Sequence, residues 1–197
     1  FSSRRRHTTC SSVSWARSCV LETEIYATLG RAVKLNKSLL LLSRIENGQY
    51  TEMEDVSVDE ILDELLPDLM DIYEHKQVRL IRKREEQPFI IRCNHSLAQI
   101  LVSNLVKNSL LHNREGGELQ VFTTPASLVI RNTGDAPLDG EKLFRRFYHG
   151  MDGKKDSTGL GLAIARSIAL SSSLKLTYEW QDGMHTFRLV KESKIYC

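Results

Sequence analysis

Two asparagines, Asn104 and Asn108, stand four residues apart in LAQILVSNLVKNSLLHN, residues 97–113. The stretch has helical period. At about 100° per residue, Leu97, Ile100, Leu101, Leu105 and Leu111 share one face, with the two amides in its middle. Val102, Val106 and Leu110 make a second apolar strip, so the helix should be covered on both sides. A buried amide costs free energy unless it is partnered. Two such groups, stacked one turn apart, fit either of two readings. They bond to neighbouring backbone, or they face a polar ligand or a bound cation.

Three further segments follow in order. NTG, residues 132–134, stands after a strand; LFRRFY, residues 143–148, precedes a polar loop; STGLGLAI, residues 157–164, opens a helix. Each alone is ordinary. A Gly-Leu-Gly start can mean tight packing, an NTG turn is common, and Phe144, Phe147 and Tyr148 fit a core in any fold. The order and spacing of all four together are what chance does not supply.

These segments need elements to hold them. Residues 22–47 read as one long amphipathic helix, with Ile25, Leu29, Ala32, Asn36, Leu39 and Ser43 at near-heptad steps and Val33 and Leu40 widening the stripe. Gly48 ends it. Such a stripe needs a partner helix or a second chain. Residues 53–58 read as a short strand and 58–75 as a second helix, with Pro67 predicting a kink or a late start. Strands are expected at 78–83 and 89–92, and a hairpin at 119–122 and 128–131 around Pro125. Residues 141–148 read as a short helix and 149–158 as a mobile loop with Gly150, Gly153, Lys154 and Lys155. A helix over 159–170 and two strands, 174–180 and 185–190, joined at Asp182-Gly183, complete the chain. The pattern is α+β: a mixed sheet with three helices on one face, preceded by a long helix.

With these segments in order, residues 24–190 resemble the sensor histidine kinases of two-component systems. NLVKNSLLHN resembles the N box, NTGDAP the first glycine box, LFRRFY the F box and STGLGLAIARSIA the second glycine box. LLLLSRIENGQ resembles the end of the second helix of the dimerisation domain. The resemblance implies a Bergerat-type α/β sandwich that binds ATP. Residues 1–21 would be a poorly ordered or atypical start, 22–48 the dimerisation helix and 49–197 the catalytic domain. It also implies that Asn108 coordinates Mg²⁺ through its amide oxygen and that Asn104 supports the phosphates or the metal's water. Gly159, Leu160 and Gly161 would bring backbone N–H groups to the phosphates, and Leu160 and Leu162 would line the adenine pocket. His112, Asn132, Gly134, Tyr148 and Thr158 complete the implied nucleotide contacts, with Arg146 as the phosphate-facing arginine. The loop 150–158 would be the ATP lid.

The sequence also departs from the family. Related ATPases of this fold carry a Glu where Asn104 stands, and an amide cannot activate water. The pocket should therefore hold ATP without rapid hydrolysis. Asn132 replaces the Asp that reads the adenine amine, so it can accept that hydrogen bond only without charge assistance. Ala136 and Ser157 replace glycines, and His149 stands where many members have Arg. No histidine is followed by an acid and a nearby Thr-Pro or Asn-Pro; His7 is followed by Thr8, Thr9 and Cys10. A reading-frame error over 3–19, a truncated first helix or a partner chain carrying the acceptor would each account for that.

Composition narrows the class. The 197 residues are 41% hydrophobic and 26% charged with a net charge of +2, which singles out no nucleic acid or other highly charged partner. Cys10, Cys19, Cys93 and Cys197 are scattered without a CxxC pair, which fits a reducing compartment and argues against zinc. The longest apolar run, 39–42, is too short to span a bilayer, so any membrane segment belongs outside this chain, which starts at Phe1 and reads as a piece of a longer protein. The expectation is the cytoplasmic core of a membrane-anchored sensor kinase, a homodimer through 22–48 that uses ATP and Mg²⁺. It would pass a phosphoryl group to histidine and on to an aspartate of a response-regulator receiver domain. The alternative is a non-catalytic ATP-binding dimerisation module without its own acceptor.

Overall fold

The computed structural model describes residues 12–148 and 158–192, with side chains for all of these except 12–24 and 27. Helix α1 (Ser12–Glu46) opens the chain. It starts before residue 22, inside the stretch expected to be weakly ordered. No Gly or Pro lies between residues 12 and 29, so nothing in the backbone stops the helix from propagating toward the N-terminus. At its other end Gly48 takes a φ of +63°, the left-handed turn that closes a helix, and its N–H donates to Ile45 O at 3.0 Å.

Strand β1 (Glu54–Ser57) runs straight into helix α2 (Val58–Ile72). The Ser57 hydroxyl caps α2 by accepting from the Glu60 N–H at 3.3 Å, and Asp59 and Glu60 sit in its first turn. The helix neither starts late nor breaks at Pro67. That proline lies on the exposed side, where water can meet the carbonyl it leaves without an N–H. A single 3₁₀ turn, Glu74–Lys76, leads to strand β2 (Arg79–Arg84), followed by strand β3 (Ile90–Cys93) and helix α3 (His95–Leu111). The Asn94 side chain caps α3 through the Leu97 N–H.

Strands β4 (Glu118–Thr124) and β5 (Ser127–Thr133) form the expected hairpin. Residues 141–148 are a chain of turns rather than a short helix. Asp139 Oδ1 accepts from the Glu141 and Lys142 N–H groups, and Phe147 has a φ of +61°, which no α-helix tolerates. Helix α4 (Gly161–Ser171) and strands β6 (Leu174–Gln181) and β7 (Met184–Lys191) complete the described residues.

The strands form two sheets. β1 and β3 pair antiparallel, and the other five run in the order β2-β4-β5-β7-β6. β2 and β4 are parallel; the remaining pairs are antiparallel, so the sheet is mixed. Period-2 alternation puts one face of β4 and β5 into the core. Register stacks Val121, Ile130, Phe187 and Tyr178 in one row across that face, with Leu119, Asn132, His185 and Trp180 in the next. Helices α2, α3 and α4 supply the opposing layer with Ile61, Leu62, Leu66, Leu101, Leu105, Ile164 and Ile168. The C-terminal turns of α1 join the same core through Leu42 and Ile45, both buried.

Candidate nucleotide-binding site

Helix α3 is covered on two sides, as its sequence requires. The buried strip runs through Ala98, Leu101, Val102, Leu105, Val106 and Ser109. Asn104 and Asn108 lie at the margin of that strip, half-buried, and not at its centre. The centre is occupied by the residues that meet α4 and the sheet.

Asn104 faces the start of α4. A Cβ built on Gly161 would sit 3.5 Å from Asn104 Oδ1, so the helix start and the amide are in direct contact range. Gly159 has a φ of +65°, the conformation that bends the chain into α4, and Leu160 between the two glycines is fully buried. The first N–H groups of α4 are unpaired within the helix and carry its positive end. On the other flank, Asn104 and Lys107 border a groove of about 600 Å³ between α2 and α3.

The C-terminal end of α3 lies against β4 and β5. His112, half-buried, caps the helix through its backbone N–H to Asn108 O, and the Asn113 amide donates to Glu118 O at 2.9 Å. Glu118 is next to Leu119, whose cross-strand partner is Asn132. From Asn104 to the helix end at Leu111 the axis advances roughly 10 Å at about 1.5 Å per residue. The candidate cleft would run along this stretch, from Asn104 and the start of α4 to the ends of β4 and β5.

Asn132 is 1% exposed. Its Nδ2 donates to Thr133 O at 3.2 Å, and its Oδ1 is buried without a hydrogen-bond partner. A buried amide oxygen in that state fits a donor brought by a ligand. Gly134, just beyond β5, packs on the His185 ring: a Cβ there would meet Nε2 at 2.1 Å. His185 Nδ1 lies 2.9 Å from the Tyr178 hydroxyl, which accepts from the Leu138 N–H at 3.0 Å. Burial holds the His185 pKa below its ordinary value of 6.5, against an opposing pull from Asp135, and burial raises that of Tyr178.

The F-box segment meets the second glycine box directly, through the Phe147 N–H to Gly159 O at 3.0 Å. That bond closes the base of the loop expected to be the lid; 149–157 lie outside the described residues, and Thr158, at the loop's end, is half-buried. Leu143 is buried and Phe144 packs on the core, whereas Phe147 is 51% exposed and is not the core residue its type implies. Tyr148 and Leu162 are half-buried against the same core. Arg146 is ion-paired with Glu46 of α1 and does not face the amides of α3.

The family described as "Histidine kinase-, DNA gyrase B-, and HSP90-like ATPase" matches residues 94–192. The chain belongs to that family. Within it the relatives are sensor histidine kinases, and the ATP-binding domain is of that kind. Sensor protein QseC of Salmonella typhi is 28% identical over 162 residues, covering 79% of this chain and 35% of the relative. Sensor histidine kinase RppB of Synechocystis sp. is 30% identical over 161 residues, covering 76% of this chain and 35% of RppB. The solved histidine kinase AdeS of Acinetobacter baumannii superposes with a TM-score of 0.65 at 18% identity, over 94% of this chain and 88% of AdeS, which supports the fold. The chain thus spans about a third of the length of the curated relatives it matches. Among the described residues no helix is long and apolar enough to cross a membrane.

Sequence reasoning singled out the four boxes but missed Lys76, Tyr178 and His185 as parts of the site's frame. Lys76 is buried and its ammonium donates to the carbonyls of Leu110, Leu111 and Asn113 at 2.8, 2.5 and 3.0 Å, sealing the C-terminal end of the Asn-bearing helix. Nothing in the local sequence distinguishes it from a surface lysine. Tyr178 and His185 carry a weak signal: polar-tipped rings at inward positions of alternating strands.

Proposed function

We propose that this chain is the kinase core of a sensor histidine kinase. It binds Mg·ATP and transfers the γ-phosphoryl group to a histidine, from which it passes to an aspartate of a response-regulator receiver domain. The observation that carries the reading is the buried, unpartnered Oδ1 of Asn132. An acceptor held there, with Nδ2 tied to Thr133 O, suits an exocyclic amine such as that of adenine. At the far end of the cleft, Asn104 and Asn108 would offer amide oxygens and the start of α4 its N–H groups to the triphosphate. Mg²⁺, held by Asn108, would neutralise phosphate charge. His112, Gly134, Tyr148, Thr158, Leu160 and Leu162 would border the nucleotide. Asn104 cannot take a proton from water, so the bound nucleotide is kept for transfer. Positioning and charge neutralisation then supply the catalysis.

Arg146 would reach the phosphates only after leaving Glu46. A second copy of the chain would cover α1, where Tyr26, Leu29, Val33 and Leu40 are exposed at steps of three, four and seven residues. The protein would be the cytoplasmic portion of a membrane-anchored sensor whose membrane segments lie outside this chain.

The test is incubation with γ-labelled ATP and Mg²⁺, with and without a dimerisation-domain fragment carrying an intact acceptor histidine. Acid-labile, base-stable label on the added fragment is expected, lost in Asn108→Ala. Nucleotide binding without label on either partner would instead favour a non-catalytic module, the reading supported by the missing His-acid-Pro segment.

A further inference from the structure

We propose that Tyr178 and His185 are positioning residues for base recognition. Together they clamp both ends of the 134–138 loop and so hold Gly134 and Asn132 in the geometry that reads an adenine ring. The inference rests on the reading of this cleft as an adenine site. Neither residue belongs to any of the four boxes.

Asn132 and His185 are direct cross-strand partners on β5 and β7, in the row that faces the helices. His185 is 5% exposed. Its ring edge is the floor on which Gly134 lies, since a Cβ at Gly134 would overlap Nε2 and Cδ2 at 2.1 and 2.5 Å. The Gly134 N–H is held in turn by Gly183 O at 3.0 Å. Four residues on, the Leu138 N–H donates to the Tyr178 hydroxyl at 3.0 Å, and that hydroxyl is 2.9 Å from His185 Nδ1.

The Tyr178 oxygen accepts from the Leu138 N–H and shares a second hydrogen bond with His185 Nδ1, in which either group can donate according to the imidazole tautomer. Both anchors of the loop thus meet on one imidazole, at Gly134 by contact and at Leu138 through the phenol. Trp180 and Phe187 wedge the assembly: the Trp180 and His185 rings are 4.5 Å apart and the Tyr178 and Phe187 rings 5.4 Å. The residues between the anchors, Asp135, Ala136 and Pro137, are exposed. Without the clamp, they would be free to swing and carry Gly134 with them.

The test uses the full chain and titration calorimetry with two probes, Mg·ATP and Mg·tripolyphosphate. The second engages the phosphate end of the cleft and lacks the base. Tyr178→Phe keeps the ring and removes both hydroxyl bonds. It is expected to weaken ATP about tenfold while tripolyphosphate stays within about twofold of wild type. Amide exchange at Leu138 should also speed up. Unchanged ATP affinity in Tyr178→Phe, or equal losses for both probes, would overturn the inference. Asn132→Ala separates the two readings. If wild type binds ATP and Asn132→Ala weakens it while Tyr178→Phe does not, the adenine reading stands and the clamp falls. If the wild-type chain binds tripolyphosphate and ATP alike and Asn132→Ala changes neither, the adenine reading falls and the clamp with it.

Discussion

Replacing Lys76 by Met would remove the charge from the end of α3 while keeping most of the side chain's length. The ammonium's three hydrogens are matched to three convergent carbonyls, of Leu110, Leu111 and Asn113. These are the groups a helix leaves without intrahelical donors, at its negative end. Leu110 O also receives the Asn113 N–H at 3.2 Å, so it is not stranded by the change. The loss then amounts to two charge-assisted bonds at about 1.5 kcal/mol each, or about 3 kcal/mol. For a chain of this size that lowers the melting midpoint by about 6–12 °C. Urea denaturation followed by circular dichroism should show a lower midpoint with an unchanged slope. Lys76→Arg should not restore it, because a planar guanidinium fork cannot point three donors at one cluster of carbonyls. The same end of α3 carries His112 and Asn113, so ATP affinity in Lys76→Met should fall as the last turn frays. A loss of stability below about 1 kcal/mol would refute the reasoning, since it would mean that water replaces the ammonium at no cost.

Two further outcomes follow from buried polar groups. Burial alone would raise the pKa of Asp59, but hydrogen bonds from Thr123, the Phe89 N–H and Arg82, with the Arg82 charge, outweigh it and hold the carboxyl below its ordinary 3.8. Its contribution to stability is therefore complete above pH 3.8 and is lost as pH falls through the lower, folded value. Asp59→Asn should cost about 2 kcal/mol at pH 7 and flatten the acid limb of the stability profile; an acid limb identical to wild type would contradict this. Asn132→Asp should tighten ATP binding about fivefold by adding charge to the acceptor while destabilising the free chain, since the new carboxylate is buried there without a partner. Equal ATP affinity in matched titrations would show that the residue does not read the base.

Periodicity was enough for most of the frame. The alternation in β4 and β5, the turn at Asp182-Gly183 and the Gly48 stop all depend on local rules, and the elements formed where those rules placed them. The errors arose where distant groups decide. Residues 141–148 have a helical composition, yet Phe147 must turn its N–H to Gly159 O, and the positive φ this imposes ends any helix. Helical projection placed Asn104 and Asn108 in the middle of an apolar face because it weighs all apolar residues alike. The real strip of burial runs through Ala98, Leu101, Val102, Leu105, Val106 and Ser109, and includes a small residue and a hydroxyl that such a projection passes over.

The four boxes were legible as motifs and the groups that hold them in place were not, for a physical reason. A residue that touches a ligand is restricted by the ligand's chemistry, so its type and spacing carry the signal. A residue that holds such a residue in place is restricted only by what happens to stand beside it. Asn132 shows both sides. Its substitution for an acid is visible in the sequence, but which end of the amide faces the cleft is set by Thr133 O, a neighbour's backbone. Arg146 shows the reverse. Its type and position fit a phosphate contact, yet Glu46, a hundred residues earlier, occupies it. Under the proposed reading, that carboxylate and a nucleotide phosphate would compete for one guanidinium, which would couple the position of α1 to the readiness of the cleft.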